Sequence, residues 1–174
     1  MNQPAAGLLK TTIVVMGVAG CGKSTVARML AERLGWGMEE GDDFHSAENK
    51  AKMAAGTPLT DADRVPWLES IRNHLDRQPS NTVVTCSSLK RSYRDILRTA
   101  RGRVRVLHLH GSPTVLAARI AARTGHFMPP GMLVSQLETL EHLQPDEDGT
   151  MVDIDRSPKE IVDLALTRLR LPVA

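Results

Sequence analysis

Gly17-Val18-Ala19-Gly20-Cys21-Gly22-Lys23-Ser24 is the stretch whose reading decides the fold. It satisfies the spacing G-x-x-x-x-G-K-[ST], in which backbone N–H groups turn inward around a phosphate. That geometry needs dihedrals and a close approach that glycine permits. Lys23 brings a cation to the outer phosphates, and the Ser24 hydroxyl can ligate Mg²⁺. Gly17, Ala19, Gly20, Cys21, Gly22, Lys23, Ser24 and Thr25 are therefore the candidate nucleotide contacts of this loop. The string alone is weak evidence, and its context strengthens it. An apolar run, Thr11 to Met16, leads into it. A segment from Ser24 to Leu34 leaves it, with Val26, Leu30 and Leu34 at helical spacing and Gly35 as a stop signal. A strand, a glycine loop and a helix N-terminus make an anion cradle, because the helix dipole favours negative charge there.

Outward from the loop, β-branched runs alternate with helix-period segments, the pattern of a parallel sheet wrapped by helices. Strands are expected at Thr11–Met16, Gly37–Glu40, Thr82–Cys86, Arg103–Leu109 and Met151–Ile154. Helices are expected at Ala47–Ala55, Trp67–Arg77, Lys90–Ala100, Pro113–Thr124, Met132–Leu143 and Pro158–Leu169. Pro66 reads as a first helical residue, where its missing N–H costs nothing, which leaves Thr60 to Val65 as loop or a separate turn. Pro129-Pro130-Gly131 reads as an interruption. The expectation is one α/β domain over 1–174, a small doubly wound sheet of five parallel strands.

With 174 residues, 41% hydrophobic, the chain can bury one ordinary core. Its formal net charge of +2 argues against holding a polyanion by bulk charge. Two Trp, two Phe and one Tyr are too few for a base-stacking platform. No nucleic-acid partner is expected. No apolar run approaches the roughly 20 residues of a membrane span, and Cys21 and Cys86 make no disulfide framework. A cytoplasmic protein with reduced thiols and no membrane partner is the expectation.

The residues after the strands narrow the type of phosphate-loop protein. Asn49-Lys50-Ala51-Lys52 lacks the Asp of a guanine-reading element, and Thr85-Cys86-Ser87-Ser88 stands where a Walker B Asp usually ends the third strand. This favours a small-metabolite or nucleotide kinase. Such transfer needs alignment and charge neutralisation more than covalent help. Asp42, just after the second strand, is placed to hold the attacking hydroxyl, and is a candidate to hold the metal through water. Asp43 points elsewhere. Arg64 can grip an anionic acceptor bidentately, with a salt bridge to Asp61 or Asp63 as the competing reading. Lys90 and Arg94, one helical turn apart, are candidate cations for substrate or phosphate, and a solvated helix face is the competing reading. His45 and His126 suit hydroxyl contacts. Arg119 and Arg123 share a helical face at i, i+4. Between Gly125 and Gly131 the segment is suited to close over the nucleotide and exclude water.

Several blocks now carry a family resemblance. Gly41-Asp42-Asp43-Phe44-His45, Asn49, Lys52-Met53, Gly56, Pro58-Leu59 and Asp61 to Leu68 are followed by Cys86 to Lys90 and Tyr93-Arg94-Asp95. Arg119 to Met128 and Ser135-Gln136-x-Glu138 come later. In this order, from about Ile13 to Pro158, they resemble the gluconate kinases. The resemblance implies ATP-dependent phosphorylation of D-gluconate with Mg²⁺ and a homodimer. It also implies a three-layer P-loop kinase fold, nucleoside-monophosphate-kinase-like, with strand order 2-3-1-4-5 and a mobile lid. The acceptor segment would be about 42–66 and the lid about 119–131. Lys23, Asp42 and Arg123 would be catalytic, with Arg119 and Arg123 also on ATP. Asp42, His45, Arg64, Lys90, Arg94 and His126 would contact the substrate. Ser88 departs from the Ala usual at its position, and Met38-Glu39-Glu40 is unusually acidic. A shikimate-kinase-like enzyme is the nearest alternative, although that pattern has Asp-x-Asp where this chain has Asp42-Asp43. A non-catalytic ATP-binding module is the other alternative.

Overall fold

A computed structural model describes residues 9–125 and 129–172. Five parallel strands form one sheet: β1 (Thr11–Met16), β2 (Gly37–Glu40), β3 (Thr82–Thr85), β4 (Arg103–His110) and β5 (Gly149–Asp153). Their order is β2-β3-β1-β4-β5, which is the 2-3-1-4-5 arrangement implied by the resemblance. The register places Val14 of β1 between Val84 of β3 and Val106 of β4. Burial on both faces explains why the central strand β1 reads as a near-continuous apolar run rather than an alternating one.

Alternation appears instead in which core each residue enters. Ile13 and Val15 face a core closed by α1 (Lys23–Leu34) and the C-terminal helix, whereas Val14 and Val84 face a second core with Trp67, Leu68, Ile71 and Tyr93. The helices between are α2 (Ala47–Ala54), α3 (Asp61–Arg77), α4 (Arg91–Arg98), α5 (Pro113–Ala121), α6 (Pro130–Thr139) and α7 (Pro158–Arg168). Helices on both faces of a parallel sheet make the three-layer α/β architecture. Among the described residues, no helix is long and apolar enough to cross a membrane.

Four expectations need correction. Helix α3 starts at Asp61, not at Pro66. Thr60 accepts from the Asp63 N–H while the Asp63 carboxylate accepts from the Thr60 N–H, a reciprocal capping box that holds the helix start despite the proline inside it. Pro129 and Pro130 do not interrupt a helix but begin one, as N-cap and first residue of α6. Helix α5 stops at Ala121, short of Gly125, and α4 is shorter at both ends than its apolar pattern suggested. The Gly41–Phe44 turn is a short 3₁₀ helix, and no periodicity announced it.

Candidate active site

The phosphate loop forms as its glycines dictate. Gly22 takes a left-handed conformation (φ 92°) as the N-cap of α1. Gly17 also has positive φ, and a Cβ there would lie 2.5 Å from the Leu109 carbonyl oxygen and 2.7 Å from Cys21 Sγ. Only glycine fits between β4 and the loop. Lys23 Nζ donates to the Gly17 and Val18 carbonyls at 3.0 and 3.2 Å, so the ammonium is held against the cradle. Ser24 and Thr25 are exposed at the first turn of α1. Arg119 on α5 donates to the Ile154 carbonyl, and its guanidinium lies 3.7 Å from where a Gly22 Cβ would be. Arg123 is exposed just past the end of α5.

A cavity of about 510 Å³ opens beside the loop. Lys23, Asp42, His45 and Arg64 all line it, together with Ser87 after β3 and Gln136 on α6. The 3₁₀ turn aims Asp42 at the cavity. It exists because Gly41 packs against β3: a Cβ there would lie 2.0 Å from the Thr85 carbonyl oxygen. The Gly41 carbonyl accepts from Trp67 Nε1 at 2.7 Å, and its N–H donates to Thr85 Oγ1. Asp42 keeps an exposed carboxylate, whereas Asp43 is absent from the cavity wall.

His45 is buried, with its ring stacked on Trp67 at 4.1 Å. Burial holds its pKa below the ordinary histidine value, partly opposed by Asp42. Asn49 Nδ2 donates to the Asp63 carbonyl and faces His45 Nδ1 at 3.3 Å. A donor there requires Nδ1 to accept, so the neutral ring carries its proton on Nε2, which lies 3.9 Å from the Asp42 carboxylate. His45 thus presents an N–H beside Asp42.

Arg64 donates to the Leu59 carbonyl at 2.6 Å and lies over the Tyr93 ring. The competing salt bridges do not form. Asp61 binds Lys90 at 2.9 Å and the Tyr93 hydroxyl, and Asp63 binds Lys52 at 2.8 Å. Among the described residues Arg64 has no carboxylate within ion-pair distance, so its charge is available at the cavity.

Two expected substrate contacts are corrected. Arg94 is fully buried, paired with Glu147 through Nε and Nη2 at 2.6 and 2.9 Å. Its remaining donors reach the carbonyls of Ser88, Leu89, Glu141 and His142. Every guanidinium donor is used, and Arg94 is a structural pin rather than a substrate ligand. It braces Ser88, which sits at an unusual positive φ of 43°. Lys90 is the N-cap of α4, not one face of it with Arg94, and its ammonium is committed to Asp61 outside the cavity lining. Ser88 is buried and also off the cavity wall, which Ser87 forms instead. His126 lies outside the described residues.

Cys21 and Cys86 enter different cores on opposite faces of the sheet. Burial pushes the Cys86 thiol up to about 12, so it is an unreactive protonated group at neutral pH. Sequence reading missed Tyr93 and Gln136 as members of this neighbourhood. Tyr93 carried two signals, as the chain's only tyrosine and as part of a block of the resemblance. Gln136 also lies in such a block, but nothing local tied it to a loop 117 residues away.

The donor set fits a magnesium nucleotide. Ser24 offers one exposed hydroxyl next to Lys23, and no group of three His, Cys, Asp or Glu able to hold a metal occurs among the described residues. One protein oxygen suits Mg²⁺, which keeps waters and takes phosphate oxygens as its other ligands.

Comparison with known proteins identifies the family. Residues 19–169 match the shikimate kinase family model, which places the chain in that broad family. A shikimate kinase structure from Aquifex aeolicus superposes with a TM-score of 0.62 at 16% identity, covering 91% of this chain and 96% of that one. That likeness is one of fold. A gluconokinase from Gluconobacter oxydans is 46% identical over 165 residues, covering 93% of both chains. A gluconokinase structure from Sinorhizobium meliloti is 48% identical with a TM-score of 0.86, again covering 93% of each. A sugar kinase structure from Janibacter reaches a TM-score of 0.89 at 46% identity, covering 93% of this chain and 95% of that one. Within the P-loop small-metabolite kinases, the chain belongs to the gluconokinase family.

Proposed function

We propose that the protein transfers the γ-phosphoryl group of ATP to the 6-hydroxyl of D-gluconate, giving 6-phospho-D-gluconate and ADP. The observation that carries this reading is one cavity lined by a phosphate-loop lysine, the exposed Asp42 carboxylate and an arginine with no carboxylate partner among the described residues. Gluconate is an anion at one end and a primary alcohol at the other, and these groups suit its two ends. Arg64 takes the carboxylate. Asp42 holds the 6-hydroxyl and accepts or orients its proton, while the Nε2–H of His45 fixes that geometry. Lys23 and the inward N–H groups of the loop neutralise charge building on the transferred group. Arg123, Arg119 and His126 belong to the proposed lid of about 119–131, and residues 42–66 to the acceptor segment of a single kinase domain. Ser24 would hold Mg²⁺, which would supply charge neutralisation at the phosphates. A homodimer and a cytoplasmic setting complete the proposal, and sedimentation tests the former.

A coupled assay of ADP release with Mg-ATP and a panel of sugar acids tests the reaction. Turnover with D-gluconate is expected. Turnover with shikimate but not gluconate, or with no acid, overturns the reading. Asp42→Asn should lower kcat by about 10²–10⁴-fold, the range of a positioned general base. A near-normal kcat would limit Asp42 to a structural part.

A further inference from the structure

One contact at the site is not explained by phosphate binding. The N–H of Ala19, inside the phosphate loop, donates to Gln136 Oε1 at 2.7 Å. Gln136 lies on α6 and lines the same cavity as Lys23, Asp42 and Arg64. Because the loop N–H is a donor, the carboxamide must present its oxygen there, which fixes its orientation. The Nε2 group then keeps two N–H donors, with no protein acceptor among the described residues. Those donors belong to a side chain that walls the acceptor cavity, and a polyol acid is rich in acceptor oxygens.

We propose that Gln136 reads the acceptor. Its Nε2–H donates to the hydroxyl next to the reacting one, while its Oε1 stays on the Ala19 N–H. One neutral side chain then ties the acceptor to the phosphate loop and sets the distance between the two substrates. Neutrality is part of the fit. A carboxylate in this place would face the transferring phosphate, and an ammonium has no oxygen to offer Ala19. The same bridge makes the enzyme select polyols, since an acceptor lacking that hydroxyl leaves the donors unpaired.

This inference rests on the gluconate reading, so the experiment starts from wild-type turnover. If the wild-type enzyme does not phosphorylate gluconate, the reading of the reaction fails before Gln136 is tested. With turnover in hand, D-gluconate and its 5-deoxy analogue are compared in the wild type, Gln136→Met and Gln136→Glu. The deoxy analogue should cost the wild type roughly tenfold in kcat/KM, the worth of one hydrogen bond. Gln136→Met should lose a similar factor on gluconate, leave the KM for ATP unchanged, and treat the two acceptors alike. Gln136→Glu keeps an oxygen for Ala19 but no donor, so it should lose the same discrimination without a fall in Tm. That variant keeps the test decisive if Gln136→Met folds poorly. An equal penalty for the deoxy analogue in all three enzymes overturns the proposal. So does a defect confined to the KM for ATP or to Tm, which would make Gln136 a brace for the loop alone.

Discussion

At the scale of single residues, position in the chain and direction of the side chain proved to be separate matters. Lys90 and Arg94 have the spacing of one helical face, yet Arg94 turns inward onto Glu147 and Lys90 stands outside the helix on Asp61. Spacing specifies a face, and only packing specifies what the face meets. Arg64 is the converse case: its neighbours Asp61 and Asp63 invited a surface salt bridge, and both are claimed by lysines. Arg64→Ala should raise the KM for gluconate by about 10–100-fold, the worth of a charge-assisted hydrogen bond, and leave the KM for ATP unchanged. Arg64→Lys should not restore it, because an ammonium cannot reproduce the bidentate fork. Steady-state kinetics in both substrates checks this. For Arg123→Ala the expected loss lies in kcat, about 10²–10³-fold by analogy with other lost electrostatic stabilisers, with ATP affinity nearly preserved. An unchanged kcat would remove Arg123 from the catalytic set.

At the scale of elements, α3 shows two local signals in conflict. Thr60-x-x-Asp63 is a capping-box signature and Pro66 is a breaker six residues later. The cap prevails because the proline deletes only one backbone bond near the helix start. Beyond Pro66 the helix buries Trp67, Leu68, Ile71 and Leu75 against β3 and α4. Removing the cap with Thr60→Ala should lower stability by about 1 kcal/mol. Pro66→Ala should raise it by about 1–2 kcal/mol by returning the missing N–H, short of the ~3 kcal/mol of an unadapted helix interior. Denaturant unfolding measures both, and a destabilised Pro66→Ala would show that the proline's restriction of the unfolded chain outweighs its missing N–H. Lys52 and the cap hold the Asp63 carboxyl down at about 2. A depressed carboxyl stabilises the fold above the ordinary aspartate value, and that part of the stability fades as pH falls from about 4 towards 2.

At the scale of the whole molecule, charge and burial are distributed unevenly. The formal +2 conceals acids gathered from Glu39 to Asp63 and bases concentrated from Lys90 to Arg105, yet the cations that line the cavity, Lys23 and Arg64, come from outside that basic stretch. His108 on β4 is fully buried, and neither ring nitrogen has a hydrogen-bond partner among the described residues. Burial, with His142, His110 and Arg94 nearby and Glu147 opposing them, pushes its pKa down to about 3. The unfolded chain protonates this histidine below about pH 6.5, and the folded chain only near 3. Stability should therefore fall as pH drops from 6.5 towards 3, and buried His45 adds in the same direction. His108→Leu should flatten the Tm profile between pH 6.5 and 4 and cost little at pH 7, where it replaces two unpaired polar atoms. Calorimetry over that range checks it, and a profile as steep as the wild type would place the acid sensitivity elsewhere.

What the sequence by itself determined was everything that short-range rules encode. The glycine loop needs its φ angles locally, the central strand β1 is apolar on both faces, and Gly35 ends α1 where the periodicity stops. Asp42 was legible too, because the carboxyl end of a strand beside a phosphate loop is a fixed place in a parallel sheet. Only the tertiary structure decided which of the basic residues remain available. It buried Arg94, engaged Lys90 and freed Arg64, because ion pairs form between segments that the chain brings together only on folding. It also separated Cys21 from Cys86 across the sheet and set Gln136 on Ala19. Those pairings depend on contacts across many residues, and no periodicity or motif carries them.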